Sequence, residues 1–188
     1  MSARHAPFQA DYEDVVVRTA EDGRREETRE VQRLYKDGRG RWRYEVTRRS
    51  PSGETERYAL LADYTSWRVV LVDLASGQVL DSKAGLSFPP FSVLGQSAAG
   101  MRTPPSGPTG PGVPPRIDDL GERSIEGIQA HGSRVTTSTE VVEIWNAAAI
   151  DQPPLLIQTH RPGEERTQRL FNVRFGEPDP ALFAALDS

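Results

Sequence analysis

Glycine-containing turns recur at short intervals along this chain, and their spacing limits its fold more than any other feature. They are AEDGR (20–24), KDGRG (36–40), SPSGE (50–54), LASGQ (74–78), IEGIQ (125–129) and RPGEE (161–165). Glycine supplies the positive φ that tight hairpin turns require, and neighbouring Asp, Ser or Pro residues favour the same turns. Because strand-like runs separate the turns, the pattern predicts an antiparallel meander of roughly eight to eleven strands.

The run RWRYEV (41–46) alternates as a half-buried strand does, with Trp42 and Tyr44 on one face. Its arginines fall on the other face, away from aromatic rings that would stack on bases. We therefore predict a solvated basic face paired with nearby glutamates, and no nucleic-acid surface. The basic residues of this segment are Arg39, Arg41, Arg43, Arg48 and Arg49.

Other segments also have strand character. SRVTTSTEVVEIW (133–145) and RTQRLFNVRF (166–175) are each predicted to form one strand. REETREVQRLYK (25–36) is rich in helix formers, and a helix stays open as an alternative. The Asp-Gly turns on both sides suit a hairpin better than helix caps, so we predict a strand.

The motif FGEPDPALFAAL (175–186) contains two acids that each precede a proline, and these would form either a carboxylate site or a structural boundary. Asp179 stands where an N-cap belongs, and Pro180 stands at the first helical position. We predict a short C-terminal helix capped by Asp179. Its apolar residues Leu182, Phe183 and Leu186 are expected to dock on the sheet.

Composition favours one β domain over residues 1–188 with a polar surface. Hydrophobic residues make up 36 % of the chain and charged residues 27 %, and the net charge is −4. No apolar run approaches the roughly 20 residues of a spanning helix, and the charge does not favour nucleic acid. The absence of cysteine excludes disulfides and thiolate metal sites.

Residues 83–115 break the strand pattern with a Pro/Gly-rich loop inside the domain. Its segment TPPSGPTGPGVPP (103–115) cannot join a sheet interior, because proline removes backbone donors and fixes φ. The apolar stretch FPPFSVL (88–94) is expected to pack back on the sheet as a flap.

No residues converge on a catalytic or metal site. The three histidines, His5, His131 and His160, are not at metal-ligand spacing, and no nucleophile elbow or phosphate-binding loop is present. We expect neither a cofactor, nor a metal, nor an enzymatic activity.

Three motifs resemble a functionally unassigned family of exported bacterial β-proteins: RLYKDGRGRWR (33–43), DDLGERSIEGIQAHGSRVTT (118–137) and RTQRLFNVRFGEPDPALF (166–183). The strand order is distantly similar to that of the lipoprotein carriers (LolA/LolB-like). That resemblance implies a curved antiparallel sheet, or half-open barrel, that holds an apolar ligand. It also implies a periplasmic or extracellular location, although the N-terminal residues MSARHAPFQADYED have no signal-peptide pattern and a cytoplasmic location stays open.

Two functional hypotheses follow. The first is a non-enzymatic protein that binds a lipid, an acyl chain, a lipoprotein or another apolar group in the curved sheet. The second is an accessory subunit that docks on a larger protein assembly. For the first we expect a lined concavity, although the same residues would equally fill a core. The expected lining residues are Trp42, Tyr44, Tyr58, Leu60 and Trp67, with Phe88 and Phe91 as a lid.

Overall fold

In a computed structural model, the described residues (6–49, 55–84, 114–150 and 153–187) form eleven strands and a short C-terminal 3-10 helix. The first six strands are β1 (Phe8–Thr19), β2 (Arg25–Lys36), β3 (Arg41–Arg49), β4 (Thr55–Asp63), β5 (Arg68–Asp73) and β6 (Val79–Ala84). The remaining elements are β7 (Arg116–Ile125), β8 (Ile128–Thr136), β9 (Val141–Asn146), β10 (Leu156–Arg161), β11 (Glu164–Phe175) and the 3-10 helix η1 (Pro180–Leu186). The predicted mainly antiparallel β fold is confirmed.

The strands form a single sheet in the order β6-β5-β4-β3-β2-β1-β11-β10-β9-β8-β7. Strands β1–β6 and strands β7–β11 are two meanders whose neighbours are consecutive in the chain. The exception is the pairing of β1 with β11, which joins the two meanders in the middle of the sheet. The predicted Pro/Gly-rich loop and the flap with Phe88 and Phe91 fall mainly in 85–113, outside the described residues.

The segment Arg25–Lys36 is a strand, as its flanking turns predicted. It pairs with β1 over its whole length, and with β3 from Gln32 to Lys36. Gly23 (φ 81°) and Gly40 (φ 84°) adopt the left-handed backbone that these two turns require. Tertiary pairing thus overrides the helix propensity of the segment.

Ion pairs cross the junction between β1 and β11. Arg166 donates hydrogen bonds of 2.9 and 2.5 Å to the two Asp14 carboxylate oxygens. Glu13, only 3 % exposed, accepts a 2.6 Å bond from Arg169 Nε and contacts Arg29 of β2. Burial opposes ionisation of Glu13, but the two arginines outweigh it and lower the pKa of its carboxyl. These contacts fix the charged residues of the junction in place.

The expected single strand over 133–145 is wrong, because a turn at 137–140 divides it into β8 and β9. The hydroxyl of Thr137 accepts hydrogen bonds from the amides of Thr139 (3.2 Å) and Glu140 (3.1 Å). The backbone amide of Thr137 in turn donates to the Glu140 carbonyl. A side-chain hydroxyl thus builds this turn without Gly or Pro.

The C-terminal helix and its cap are confirmed, although the helix is of the 3-10 type. Asp179 Oδ1 accepts a 2.9 Å hydrogen bond from the amide of Ala181, and Pro180 begins the helix. The other acid of the motif, Glu177, accepts from the amide of Gly38 with both oxygens, at 3.1 and 3.0 Å. Both acids are therefore structural. No helix within the described ranges is long and apolar enough to cross a membrane.

Helix η1 packs on one side of β3, β4 and β5, which we call the helix-covered face. Phe183 and Leu186 are buried there, with half-buried Leu182 beside them. The predicted docking of these three residues is therefore confirmed. The strand residues of this cluster are Ala59, Leu61, Val70 and Val72.

The predicted solvated basic face is wrong for Arg41 and Arg43, which are both buried. Arg41 Nε donates to buried Asp37 at 2.6 Å, and its Nη1 donates to Asp187 at 2.9 Å. Arg43 Nη1 donates to the Leu182 carbonyl at 2.9 Å. Helix η1, which is remote in the sequence, covers both guanidinium groups and supplies part of their partners. Arg39 is exposed, as predicted.

Candidate functional site

Strand register brings four of the expected lining residues onto one surface. Tyr44 of β3 lies opposite Leu60 of β4, and Val46 lies opposite Tyr58. Side chains directly opposite each other share a side of the sheet, and alternate residues along a strand do so as well. Trp42, Tyr44, Tyr58 and Leu60 therefore form one surface, the aromatic face, on the opposite side from the helix-covered face.

Part of the aromatic face is a preformed stack of rings. Trp42 and Tyr44 are parallel, with centroids 6.0 Å apart and an interplanar angle of 9°. Phe8 of β1 meets Trp42 edge-on at 5.8 Å, and Lys36 Nζ lies 5.1 Å from the Trp42 ring centroid. Ring geometries of this kind are attractive beyond the area that they bury. The stack is thus held in place by β1, β2 and β3 together.

Exposure on the aromatic face increases from Trp42, which lies opposite buried Ala62, towards the beginning of β4. Trp42 is 5 % exposed, and Tyr58 and Leu60 are half-buried. Tyr64, just beyond β4, is 40 % exposed, and Trp67 is 73 % exposed in the turn between β4 and β5. The aromatic face is therefore partly core and partly accessible, whereas Trp67 stands apart from the other expected lining residues. Phe88 and Phe91 lie outside the described residues.

Tyr44 and its neighbour Tyr64 stay neutral at physiological pH. Burial, and secondarily the neighbouring Tyr64, raises the pKa of the Tyr44 hydroxyl well above its ordinary value. Burial also raises the pKa of Tyr64 to about 12. Since neither phenol ionises, these two residues add no charge to the aromatic face, where the Lys36 ammonium lies over the Trp42 ring. The accessible part of this face, at Tyr58 and Leu60, therefore offers an uncharged phenol and an aliphatic side chain.

The helix-covered side of the sheet has a different chemistry. Two clefts of about 440 and 500 Å³ share Asp11 and Arg33 in their walls. Arg174 lines the first, and Glu45 and Arg57 line the second. Register places Arg33 opposite Glu45, so these clefts open beside the buried arginines and not over the aromatic face. Their charged walls do not suit an apolar ligand.

A second aromatic arrangement, which was not predicted from the sequence, lies at Trp145 of β9. Its indole lies over Gly132 of β8, and a Cβ added to Gly132 would stand 2.6 Å from the ring. On β7, the Arg123 guanidinium lies 3.8 Å from the Trp145 ring centroid. A glycine inside a strand often marks such a close approach, and HGS (131–133) carried that signal.

The described histidines occupy exposed strand positions. His131 Nε2 lies 3.1 Å from Asp119, and His160 Nδ1 lies 4.0 Å from Glu165. In the part of the chain that the structure describes, no group of three or more His, Asp or Glu side chains is arranged to hold a metal ion. His131 and His160 thus each face one carboxylate at the surface.

No family model and no curated protein matches the chain. The solved structures that are distantly similar include the following three. The MucA/MucB complex of Pseudomonas aeruginosa shares 14 % identity at a TM-score of 0.39, over 96 % of this chain and 56 % of that one. A LolA superfamily protein from Nitrosomonas europaea shares 11 % identity at a TM-score of 0.40, and the match covers 95 % of this chain and 90 % of that one. The lipoprotein LppX of Mycobacterium tuberculosis shares 11 % identity at a TM-score of 0.43, and the match covers 91 % of this chain and 87 % of that one. This chain spans little more than half of the MucB length.

Proposed function

We propose that this chain is a non-enzymatic binding protein of the periplasm or cell exterior that holds a lipid, an acyl chain or another apolar group against the aromatic face. The observation that carries the proposal is the change in exposure across that face. Tyr58 and Leu60 stay half-buried next to the ordered Trp42–Tyr44 stack. A ligand that covers them gains apolar contact without having to order the rings first.

The contribution of one such contact to ligand affinity can be worked out for Leu60. Full burial of a leucine side chain is worth about 1.5–3 kcal/mol, and Leu60 is already half-buried. Completing its burial against a ligand therefore contributes about 1–1.5 kcal/mol, or roughly a tenfold change in affinity. Several such contacts, together with the lid that the sequence predicts at Phe88 and Phe91, would give binding in the micromolar range, about −8 kcal/mol.

The test is a titration of the folded protein with a fluorescent fatty acid. We expect micromolar binding by the parent and about tenfold weaker binding by Leu60→Gln. Leu74→Gln is the matched control, because Leu74 is also half-buried but lines a cleft on the helix-covered side. It should bind as the parent does. No binding by the folded parent, or equal weakening in both variants, would contradict the proposal.

A second candidate, an accessory subunit that docks on a larger assembly, is favoured by the two outermost strands. Val79 and Leu80 of β6 and Ile117 of β7 are large exposed apolar residues. Strands at the ends of a sheet can pair with another chain unless they are protected. In this case Ile117→Lys would abolish capture by a partner and leave the fatty-acid titration unchanged, whereas Leu60→Gln would leave the capture unchanged.

A further inference from the structure

The turn between β4 and β5 exposes two aromatic side chains. It consists of Tyr64, Thr65, Ser66 and Trp67, and we call it the YTSW turn. Trp67 is 73 % exposed and Tyr64 40 % exposed, whereas the other two tryptophans of the chain are each 5 % exposed. Exposed tryptophan of this extent is unusual for a residue with so much apolar surface. Core packing therefore does not account for Trp67.

Backbone preference does not account for a tryptophan at position 67 either. Trp67 has a φ of 55°, in the left-handed region that is unfavourable for a bulky side chain and natural for glycine. The turn is nevertheless firmly held. Asp63 accepts hydrogen bonds from the amides of Thr65 (2.8 Å) and Ser66 (3.3 Å) and from the Ser66 hydroxyl (2.8 Å). On the other side, Arg68 donates to the Leu186 carbonyl at 2.8 Å. An exposed tryptophan is thus presented on a rigid, strained turn.

The size of the surface limits what it can bind. An aromatic side chain offers about 150–250 Å² when fully exposed, so two partly exposed rings offer less than roughly 400 Å². A stable protein interface needs about 800 Å² from each partner. Tryptophan and tyrosine are, by contrast, the residues that settle at the boundary between water and lipid. None of the four residues of the turn carries a charge at neutral pH.

We propose that the YTSW turn docks on a lipid bilayer by inserting Trp67 and Tyr64 into the headgroup region. The net charge of −4 disfavours anionic lipid, so the surface expected is zwitterionic. Two side chains give only weak, reversible attachment. This docking does not require the aromatic face to hold a ligand, although Tyr64 lies close enough to Tyr44 to contribute to the raised pKa of the Tyr44 hydroxyl.

The experiment uses the intrinsic fluorescence of the folded protein with phosphatidylcholine vesicles and no fatty-acid probe. Acrylamide should quench mainly Trp67, because Trp42 and Trp145 are buried. With millimolar lipid we expect the quenching to fall at least twofold and the emission to shift to the blue. If Trp67 stays fully quenchable at this lipid concentration, the proposal is overturned and a protein partner becomes the better explanation. The fatty-acid titration is not affected by that outcome.

Two variants make the test specific. Trp67→Gly should shift the midpoint of thermal unfolding by less than about 4 °C, since relief of left-handed strain offsets the added freedom of the unfolded chain. It should no longer float with phosphatidylcholine vesicles, whereas Trp67→Phe should float less than the parent but measurably. Flotation of Trp67→Gly equal to that of the parent would refute the role of Trp67. If Trp67→Gly does not fold, the parent quenching and Trp67→Phe decide.

Discussion

Replacing Gly132 by alanine tests the packing of β8 against β9. The new methyl carbon would lie 2.6, 2.6 and 2.7 Å from three atoms of the Trp145 ring. Carbon atoms in contact normally lie about 3.5–4.0 Å apart, so the ring would have to move by about 1 Å. Arg123 on its other side, 3.8 Å from the ring centroid, resists that movement.

Overpacking of this kind typically costs about 1–3 kcal/mol. For Gly132→Ala we expect about 2 kcal/mol, which lowers the midpoint of thermal unfolding by about 4–8 °C in a chain of this length. Urea denaturation followed by circular dichroism measures the free energy directly. Ser133→Ala, at the next position of the same strand, is the control and should change the free energy of unfolding by no more than about 0.5 kcal/mol.

A double-mutant cycle identifies the cause. In a Trp145→Leu background the ring is gone, so Gly132→Ala should cost less than about 0.5 kcal/mol. The coupling between the two sites should therefore exceed about 1 kcal/mol. Equal costs in the two backgrounds would show that the methyl group does not act through the indole, and the explanation of Gly132 would then be wrong.

Three further substitutions test the contacts that hold the sheet and the helix. Asp179→Ala removes the cap on the Ala181 amide and should lower the free energy of unfolding by about 1 kcal/mol in urea denaturation, with fatty-acid binding unchanged. Loss of fatty-acid binding at unchanged stability would show instead that Asp179 belongs to a binding site. Asp37→Asn leaves buried Arg41 with one carboxylate partner and should cost about 3 kcal/mol, so a cost near zero would contradict the buried pair. Glu13→Gln should cost about 2 kcal/mol at pH 7. Because the folded pKa of Glu13 is lowered, its contribution is fully present above the ordinary value of 4.5 and is lost as the pH falls through the folded pKa. The parent and this variant should therefore converge in acid, and a pH-independent difference would refute the charge argument.

Features set by neighbouring residues were predictable from the sequence. Asp-Gly turns on both sides correctly identified Arg25–Lys36 as a strand, and Asp179 before Pro180 correctly marked the helix start. The turn at 137–140 was missed because a threonine hydroxyl builds it, and threonine is equally common inside strands.

Features set by distant contacts were not predictable. The charges of Arg41 and Arg43 indicate exposure, and only the docking of η1 from the far end of the chain buries them. The same limit applies to the candidate site. Alternation within β3 placed Trp42 and Tyr44 on one side of the sheet, whereas only the register between β3 and β4 brings Tyr58 and Leu60 to that side. Neither indicates how exposed each residue is. The exposure of Trp67 follows from the place where β4 ends, which alternation does not specify.

The pairing of β1 with β11 has a consequence for synthesis on the ribosome. Arg18 and Glu164, which bond across that junction, are 146 residues apart, so one edge of β1 waits about 7–30 s for its partner at usual rates of translation. Throughout that time the nascent strand presents Asp14 without Arg166, and Glu13 with Arg29 of β2 but without Arg169. Charged side chains on an open edge oppose association with another strand. The acids that stabilise the finished junction therefore also protect the unfinished chain from aggregation.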